Sequence, residues 1–419
     1  MPSKSRSLPR QAAKHHAPSH RQQHPAPVHA APNVVSSPSP TLLPGQVRPR
    51  LGSSSQANPG VYPLSPLATV QSFEPLPKPL GQPPYHYDLE SVIPGITAQA
   101  EADGHLVFHC VGDTGGINNP TFQMSVADMM KADLDAPQGA PSFFYHLGDV
   151  VYFNGQISDY YSQFYEPYNN YTAPIISIPG NHDGDPIDAT QVSLDGWMRY
   201  FMQATAHVNP ESMDAPRATL SQPNVYFTLN CPFVTIVGMY TNVPEGGSID
   251  SVQQQWLTNE FATAPVDKAL IVALHHPIYS YDSFHSGSAR MADAVQQAIN
   301  DSRRVPNAVF TGHVHDYQRF ERSLVKSSAT PFFVIGHGGY YNLHTLTAGP
   351  GTTDPTTEAT LVAANDTQHG YATFTVDAEN ISGTMSLAED TKLPAVAVAD
   401  KFSYPAGVIM LPAGVMVSL

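Results

Sequence analysis

Five short apolar runs, each breaking at a glycine or a polar cluster, constrain this chain more than any other feature. They are HLVFHCVGD (His105–Asp113), SFFYHLGDV (Ser142–Val150), PIISIPGN (Pro174–Asn181), KALIVALHH (Lys268–His276) and NAVFTGHVH (Asn307–His315). Runs of this length, stopped by turn residues, read as buried strands. Helical patterns alternate with them at Thr121–Leu134, Ser158–Tyr168, Leu194–Gln203, Val252–Thr263 and Ser288–Asp301. The alternation predicts an α/β chain, with a largely parallel or mixed sheet and helices packed outside it. In such sheets the ligand site forms beyond the carboxyl ends of the strands. The polar residues of all five runs fall at those ends, so they can converge despite their separation in sequence.

Those residues share one chemistry. The motifs are GDTG (Gly112–Gly115), GDVVY (Gly148–Tyr152), GNHD (Gly180–Asp183), VALH (Val272–His275) and GHVH (Gly312–His315). A lone glycine–aspartate pair or a stray histidine says little. Five in series supply carboxylates, imidazoles, an amide and a phenol, a donor set that suits Fe, Zn or Mn and not Ca²⁺. The donors are too many for one ion and suit two, because a carboxylate can bridge a pair. Two metals about 3.5–4 Å apart clamp the attacking and leaving oxygens of a phosphoryl displacement.

In this order the motifs resemble those of the purple acid phosphatases, within the calcineurin-like metallophosphoesterases. ALHHPIYS (Ala273–Ser280) and GHVHDYQRFER (Gly312–Arg322) extend the likeness beyond the candidate ligands, and QQQWL (Gln253–Leu257) and IGHGG (Ile335–Gly339) echo it. The likeness runs from about Val107 to Gly339. It implies an α/β fold of two mixed β-sheets flanked by helices, a four-layer sandwich. It implies that Asp113, Tyr152 and His315 hold Fe³⁺, that Asn181, His275 and His313 hold a divalent ion (Fe²⁺, Zn²⁺ or Mn²⁺), and that Asp149 bridges the two.

One substitution separates subfamilies. Most calcineurin-like enzymes open with D-x-H and use that histidine as a ligand. Here the position is Gly115, which has no side chain to offer, while Tyr152 supplies the phenolate that purple phosphatases use instead. A phenolate is a hard, charged donor that favours Fe³⁺, and a ferric ion acidifies bound water.

The activity implied is hydrolysis of small-molecule phosphate monoesters by a metal-bound hydroxide. His182 would face the substrate and donate to the leaving oxygen. His285, in YSYDSFHSG, stands where plant members of the family carry a substrate-facing histidine. A second reading is a phosphodiesterase acting on nucleotides or cyclic nucleotides. A third is a non-catalytic binding protein on the same fold, which predicts eroded ligands; the only loss seen is the compensated one at Gly115.

The other histidines read differently. His105, His109 and His146 lie inside apolar runs and are expected in the core or behind the site. His276 follows a candidate ligand directly and is expected on the opposite side of its strand. His337 is either a turn residue or a support for a metal ligand.

Composition sets the remaining bounds. With 419 residues and 41% hydrophobic content the chain can bury a large core. Residues 1–90 are rich in Pro, Ser, Ala, Gln and His and have no acidic residue before Glu74. They read as a disordered segment preceding a catalytic domain over 91–419. The acidic excess behind the chain's net charge of −15 sits on that domain, an acidic body that argues against nucleic-acid binding by it. No apolar run reaches the length of a membrane span, and no secretory signal is recognisable at the start, which predicts a cytoplasmic location. Cys110 and Cys231 lie in apolar strands and are expected as buried thiols, not a disulfide framework. Oligomeric state is not readable from the sequence.

Overall fold

Each of the five apolar runs forms a strand that stops short of its polar residues: Leu106–Val111, Phe143–His146, Ile175–Ser177, Ala269–Ala273 and Ala308–Thr311. These come from a computed structural model that describes residues 72–326, 328–388 and 398–419. All five strands are buried along their whole length. That is why they read as continuous apolar runs and not as alternating ones: both faces are covered.

The strands divide between two mixed sheets. In the six-stranded sheet the order is Asp400–Pro405, Asn380–Leu387, Gly370–Val376, Leu106–Val111, Phe143–His146 and Ile175–Ser177. The last three are mutually parallel and the others antiparallel. The eight-stranded sheet runs His86–Asp88, Phe227–Asn230, Val234–Gly238, Ala269–Ala273, Ala308–Thr311, Ser328–Ile335, Tyr317–Val325 and Thr360–Asn365. Its centre, from Val234–Gly238 to Ser328–Ile335, is parallel.

Aromatic side chains fill the space between the sheets. Phe374 of one sheet lies 4.3 Å from Phe310 and 5.3 Å from Phe333 of the other, ring centre to ring centre. Phe108 stacks on Phe143 at 5.0 Å, and Phe333 meets Phe402 at 4.8 Å. Backbone bonds then tie the two sheets together at their carboxyl ends: Gly112 N donates to Ile335 O at 2.8 Å, and Gly338 N to Gly112 O at 3.2 Å. The motif loops of both sheets therefore meet on one side of the molecule.

Helices cover the outside. Thr121–Leu134 forms as the periodicity predicts. Ser251–Thr263 and Ala289–Ser302 also form, each with a side-chain cap: Asp250 accepts from Gln253 N at 2.8 Å and Ser288 from Met291 N at 3.1 Å. The predicted helix over Ser158–Tyr168 does not form as one element. A 3₁₀ turn at Ile157–Asp159 and a π turn at Tyr161–Tyr165 replace it. Tyr160, Phe164, Tyr165 and Tyr168 are buried while Ser158, Ser162 and Glu166 are exposed, so the segment keeps the one-sided apolar pattern that predicts a helix although its turns are irregular.

The ordered body begins earlier than composition predicts. The expected disordered segment lies outside the described residues as far as residue 71, but residues 72–90 are built against the domain. Glu74 and Asn242 exchange two hydrogen bonds, Leu80 N and Gly81 N donate to Pro223 O, and Trp256 Nε1 donates to Pro84 O at 2.7 Å. His86–Asp88 then adds a parallel edge strand to the eight-stranded sheet. Prolines here satisfy neighbours through their carbonyls without needing a ladder of their own. No helix among the described residues is long and apolar enough to cross a membrane.

Candidate metal centre

The chain reverses sharply at the strand ends. Asp113, Asp149 and His313 take left-handed backbone conformations, with φ of 59°, 54° and 68°. Non-glycine residues adopt this region rarely and at some energetic cost, and such strain clusters at functional sites. Close backbone approach makes the reversal possible: a Cβ on Gly180 would stand 2.1 Å from Asp149 Oδ1. Only glycine fits there. Backbone amides then fix the carboxylates. His313 N donates to Asp113 Oδ2 at 2.8 Å, and His182 N to Asp149 Oδ1 at 2.9 Å. Asp183 braces the turn from below by accepting from Gly180 N and Val150 N.

Seven predicted residues are brought together in two adjoining groups. Tyr152 Oη lies 3.2 Å from both Asp113 Oδ1 and His315 Nε2. Asn181 Oδ1 lies 3.0 Å from both His275 Nε2 and His313 Nδ1. Asp149 stands between the groups, its Oδ2 3.3 Å from His275 Nε2. Asp149, His275 and His313 place ligand atoms within 4.8 Å of one another.

The outer nitrogens of the three imidazoles decide what the inner ones can do. His275 Nδ1 faces Leu147 O at 2.8 Å, and His315 Nδ1 faces Asn342 O at 3.1 Å. A carbonyl can only accept, so each ring carries its proton on that outer nitrogen and turns a lone pair inward. His313 does the same toward a carboxylate, with Nε2 3.4 Å from Glu245 Oε1. In their neutral form the inner nitrogens point lone pairs at the amide oxygen of Asn181 and at carboxylates, so either a cation or a second proton on the ring must stand between them. Asp149 Oδ2 is buried with no hydrogen-bond donor.

Such an arrangement draws positive charge to its middle. Burial drives the Asp113 carboxyl well above the usual range. Burial works the same way on Asp149, but His275 and His182 outweigh it and hold that carboxyl below the usual range. Burial also acts to lower His275, yet the charges of Asp149 and Asp113 pull it up to about 9. Bound cations would satisfy every one of these groups. The residues fit a pair of metal ions.

His182 and His285 stand at the rim. His182 Nδ1 lies 2.8 Å from Phe153 O, and its ring centre is 4.8 Å from that of Tyr152. His285 Nδ1 lies 3.0 Å from Glu245 Oε1, and its backbone N donates to Asp282 Oδ2 at 2.8 Å. Neither Nε2 makes a hydrogen bond among the described residues.

Some expectations need correction. His276 is not on the far side from the site: its ring lies 4.3 Å from that of His313, and Nδ1 meets Thr241 Oγ1 at 2.7 Å. The strand ends at Ala273, so the alternation of a pleated strand no longer governs position 276. His105 is half-buried at a strand entrance, outside the core. His109 is buried against Tyr171 and Asp133, away from the site, whereas His146 supports it by meeting Thr114 Oγ1 at 2.8 Å and Gly148 N at 3.1 Å. His337 is buried, and among the described residues its ring makes no hydrogen bond; it packs against Tyr317, ring centres 5.9 Å apart. Sequence reasoning missed Glu245 and His344, whose ring lies 4.5 Å from that of His315. Glu245 follows the apolar strand Val234–Gly238, a sixth strand end that its VTIVG pattern could have disclosed.

The calcineurin-like phosphoesterase family matches residues 88–317, over half the chain and every candidate ligand. The chain belongs to this family. Among calcineurin-like phosphoesterases it is similar to purple acid phosphatase 22 of Arabidopsis thaliana, 30% identical over 131 residues that cover 29% of this chain and 28% of the relative. Probable purple acid phosphatase 20 of the same plant is 30% identical over 162 residues, 36% of this chain and 35% of the relative. The chain thus spans about a third of the length of these relatives. The purple acid phosphatase PPD1 from yellow lupin shares the fold, with a TM-score of 0.52 and 17% identity, over 71% of this chain and 53% of that one.

Proposed function

We propose that this calcineurin-like phosphoesterase hydrolyses phosphate monoesters at a dinuclear metal centre of the purple acid phosphatase type. The observation that carries the reading is the inward convergence of potential ligand atoms: Asn181 Oδ1 stands 3.0 Å from one nitrogen of each of two imidazoles, beside the buried Asp149 Oδ2. Asp113, Tyr152 and His315 would hold one ion, Asn181, His275 and His313 the other, and Asp149 both. Fe³⁺ suits the phenolate group, and Fe²⁺, Zn²⁺ or Mn²⁺ the second. When bound, the ions supply an activated water and neutralise charge on the phosphoryl oxygens.

The chain's own residues do the rest. Burial of both carboxylates keeps bulk water from screening them. His182 donates Nδ1–H to Phe153 O and so presents Nε2 to the substrate side. From there it stabilises the leaving oxygen or protonates it. His285 is held by Glu245 at Nδ1 and by Asp282 at its backbone N, which leaves its Nε2 for the substrate. The motif set is undiminished apart from Gly115, which favours an enzyme over a binding protein.

The test is metal analysis and a visible spectrum of protein purified without chelator, with parallel assays on p-nitrophenyl phosphate and bis-p-nitrophenyl phosphate. Two ions per chain with faster monoester cleavage are expected. Preferential diester cleavage would replace the reading with a phosphodiesterase, and metal binding without either activity would make the chain a binding protein.

A further inference from the structure

Of the three imidazoles that turn a lone pair into the centre, two are tethered by main-chain carbonyls. The third, His313, is tethered by a side chain, Glu245, which none of the five motifs contains. The same oxygen, Glu245 Oε1, also lies 3.0 Å from His285 Nδ1. The rings of His285 and His313 pack against each other with centres 4.5 Å apart. One carboxylate therefore receives an N–H from a candidate metal ligand and another from a candidate substrate-facing residue.

We infer that Glu245 is a positioning residue that couples the second metal site to the substrate site, by fixing the proton of His313 on Nε2 and of His285 on Nδ1. This rests on the metal centre proposed above. A neutral imidazole has one N–H and one lone pair, so what its outer nitrogen meets fixes which atom can bind a metal. With Glu245 accepting at Nε2, His313 offers Nδ1 beside Asn181. With Glu245 accepting at Nδ1, His285 turns its Nε2 lone pair outward, where it accepts from an O–H of protonated phosphate. Three further contacts keep the second ring from swinging away: Asp282 Oδ2 accepts from His285 N, Ser280 Oγ donates to His285 O at 3.0 Å, and Asp282 Oδ2 meets His344 Nδ1 at 3.0 Å.

Glu245 sits in a short loop, Met239–Gly247, between a strand of the eight-stranded sheet and the helix Ser251–Thr263. The loop is held independently of the carboxylate. Met239 N donates to Ala273 O at 2.8 Å, Gly247 N to Pro244 O at 2.7 Å, and Ser248 N to Thr241 O at 2.7 Å. Replacing the side chain should leave the loop in place. The two functions of Glu245 can then be read separately from folding.

The experiment titrates chelator-stripped, full-length protein with Zn²⁺, comparing wild type, Glu245→Ala and Glu245→Gln. Removing the partner of a ligating imidazole typically weakens metal binding about 10–100-fold. Glu245→Ala is expected to weaken one of two Zn²⁺ sites by that factor and leave the other unchanged. Glu245→Gln, which keeps an acceptor oxygen, should fall between. Inhibition of the Zn²⁺-loaded protein by inorganic phosphate should also weaken in Glu245→Ala. His285→Ala should reproduce the loss of phosphate affinity while leaving both Zn²⁺ affinities at their wild-type values, a division that a merely structural role would not produce. Equal Zn²⁺ affinities in wild type and Glu245→Ala overturn the inference. So does a wild type that binds three Zn²⁺ and an alanine variant that binds two, because Glu245 would then be a ligand. A wild type that binds no Zn²⁺, Fe or Mn overturns the metal centre itself.

Discussion

The ring of Tyr152 occupies the space that any side chain at position 115 would need. A Cβ on Gly115 would stand 2.8 Å from Tyr152 Cδ2 and 2.4 Å from Gln163 Oε1. Gln163 in turn clamps the tyrosine backbone, accepting from Tyr152 N at 2.9 Å and donating to Tyr152 O at 2.8 Å. The missing histidine of the D-x-H pattern and the added tyrosine are thus one steric choice and not two independent substitutions. A histidine at 115 and the phenol at 152 cannot both fit this backbone.

Gly115→Ala should therefore destabilise the protein by about 1–3 kcal/mol, the usual range for overpacking a filled interior. Part of that cost should vanish when Tyr152→Ala is already present, because neighbours that share space are not additive, while the clash with Gln163 Oε1 remains. Denaturant midpoints of the four proteins give the coupling. Strict additivity would separate the two positions.

Tyr152→Phe removes one oxygen and keeps the ring that fills the space. The fold should survive. Oxidised, iron-loaded wild type should be purple or pink through charge transfer from the phenolate, and the variant should lose that colour and bind iron less tightly. A colourless wild type fully loaded with ferric iron would make the chain a Zn²⁺ or Mn²⁺ enzyme with a packing tyrosine.

Asp149 Oδ2 lies 3.3 Å from His275 Nε2, and the carboxylate is proposed to serve both ions, so Asp149→Ala should release most bound metal and abolish hydrolysis. Retention of two tightly held ions with normal turnover would show that this carboxylate is not shared.

His182 contacts the centre only through its backbone amide and the face of Tyr152. His182→Ala should keep both metals and lose about 10²–10⁴ in kcat, the range for a positioned acid. Loss of metal in that variant would reassign the residue as a ligand.

Residues 72–85 anchor to the domain through Glu74, Leu80, Gly81 and the carbonyl of Pro84. A chain starting after Tyr85 should be less stable than one starting at Ser72 by roughly 5 kcal/mol, at about 1 kcal/mol for each of these five hydrogen bonds. Equal melting temperatures would mean these bonds contribute nothing net.

The local patterns of this chain determine its strands and where they end. Apolar runs bounded by turn residues are local, so Leu106–Val111 and its four counterparts were legible, as was the helix Thr121–Leu134. The seven clustered donors were legible for the same reason, since each follows directly from a strand end. The likeness of the motif series to a family, not local physics, supplied their grouping.

Only the tertiary structure decided the rest, because it depends on contacts between segments far apart in sequence. The division of Ser158–Tyr168 into a 3₁₀ turn and a π turn is not announced by its one-sided apolar pattern, which suits a regular helix. The attachment of residues 72–90 follows from acceptors on Pro223 and Asn242, which composition cannot foresee. The direction of His276 depends on a strand that stops three residues earlier. Glu245 acquires its role from His285, 40 residues away, and His313, 68 residues away. A hydrogen bond across such separations has no periodicity to announce it; it exists only once the two sheets have brought their carboxyl ends together.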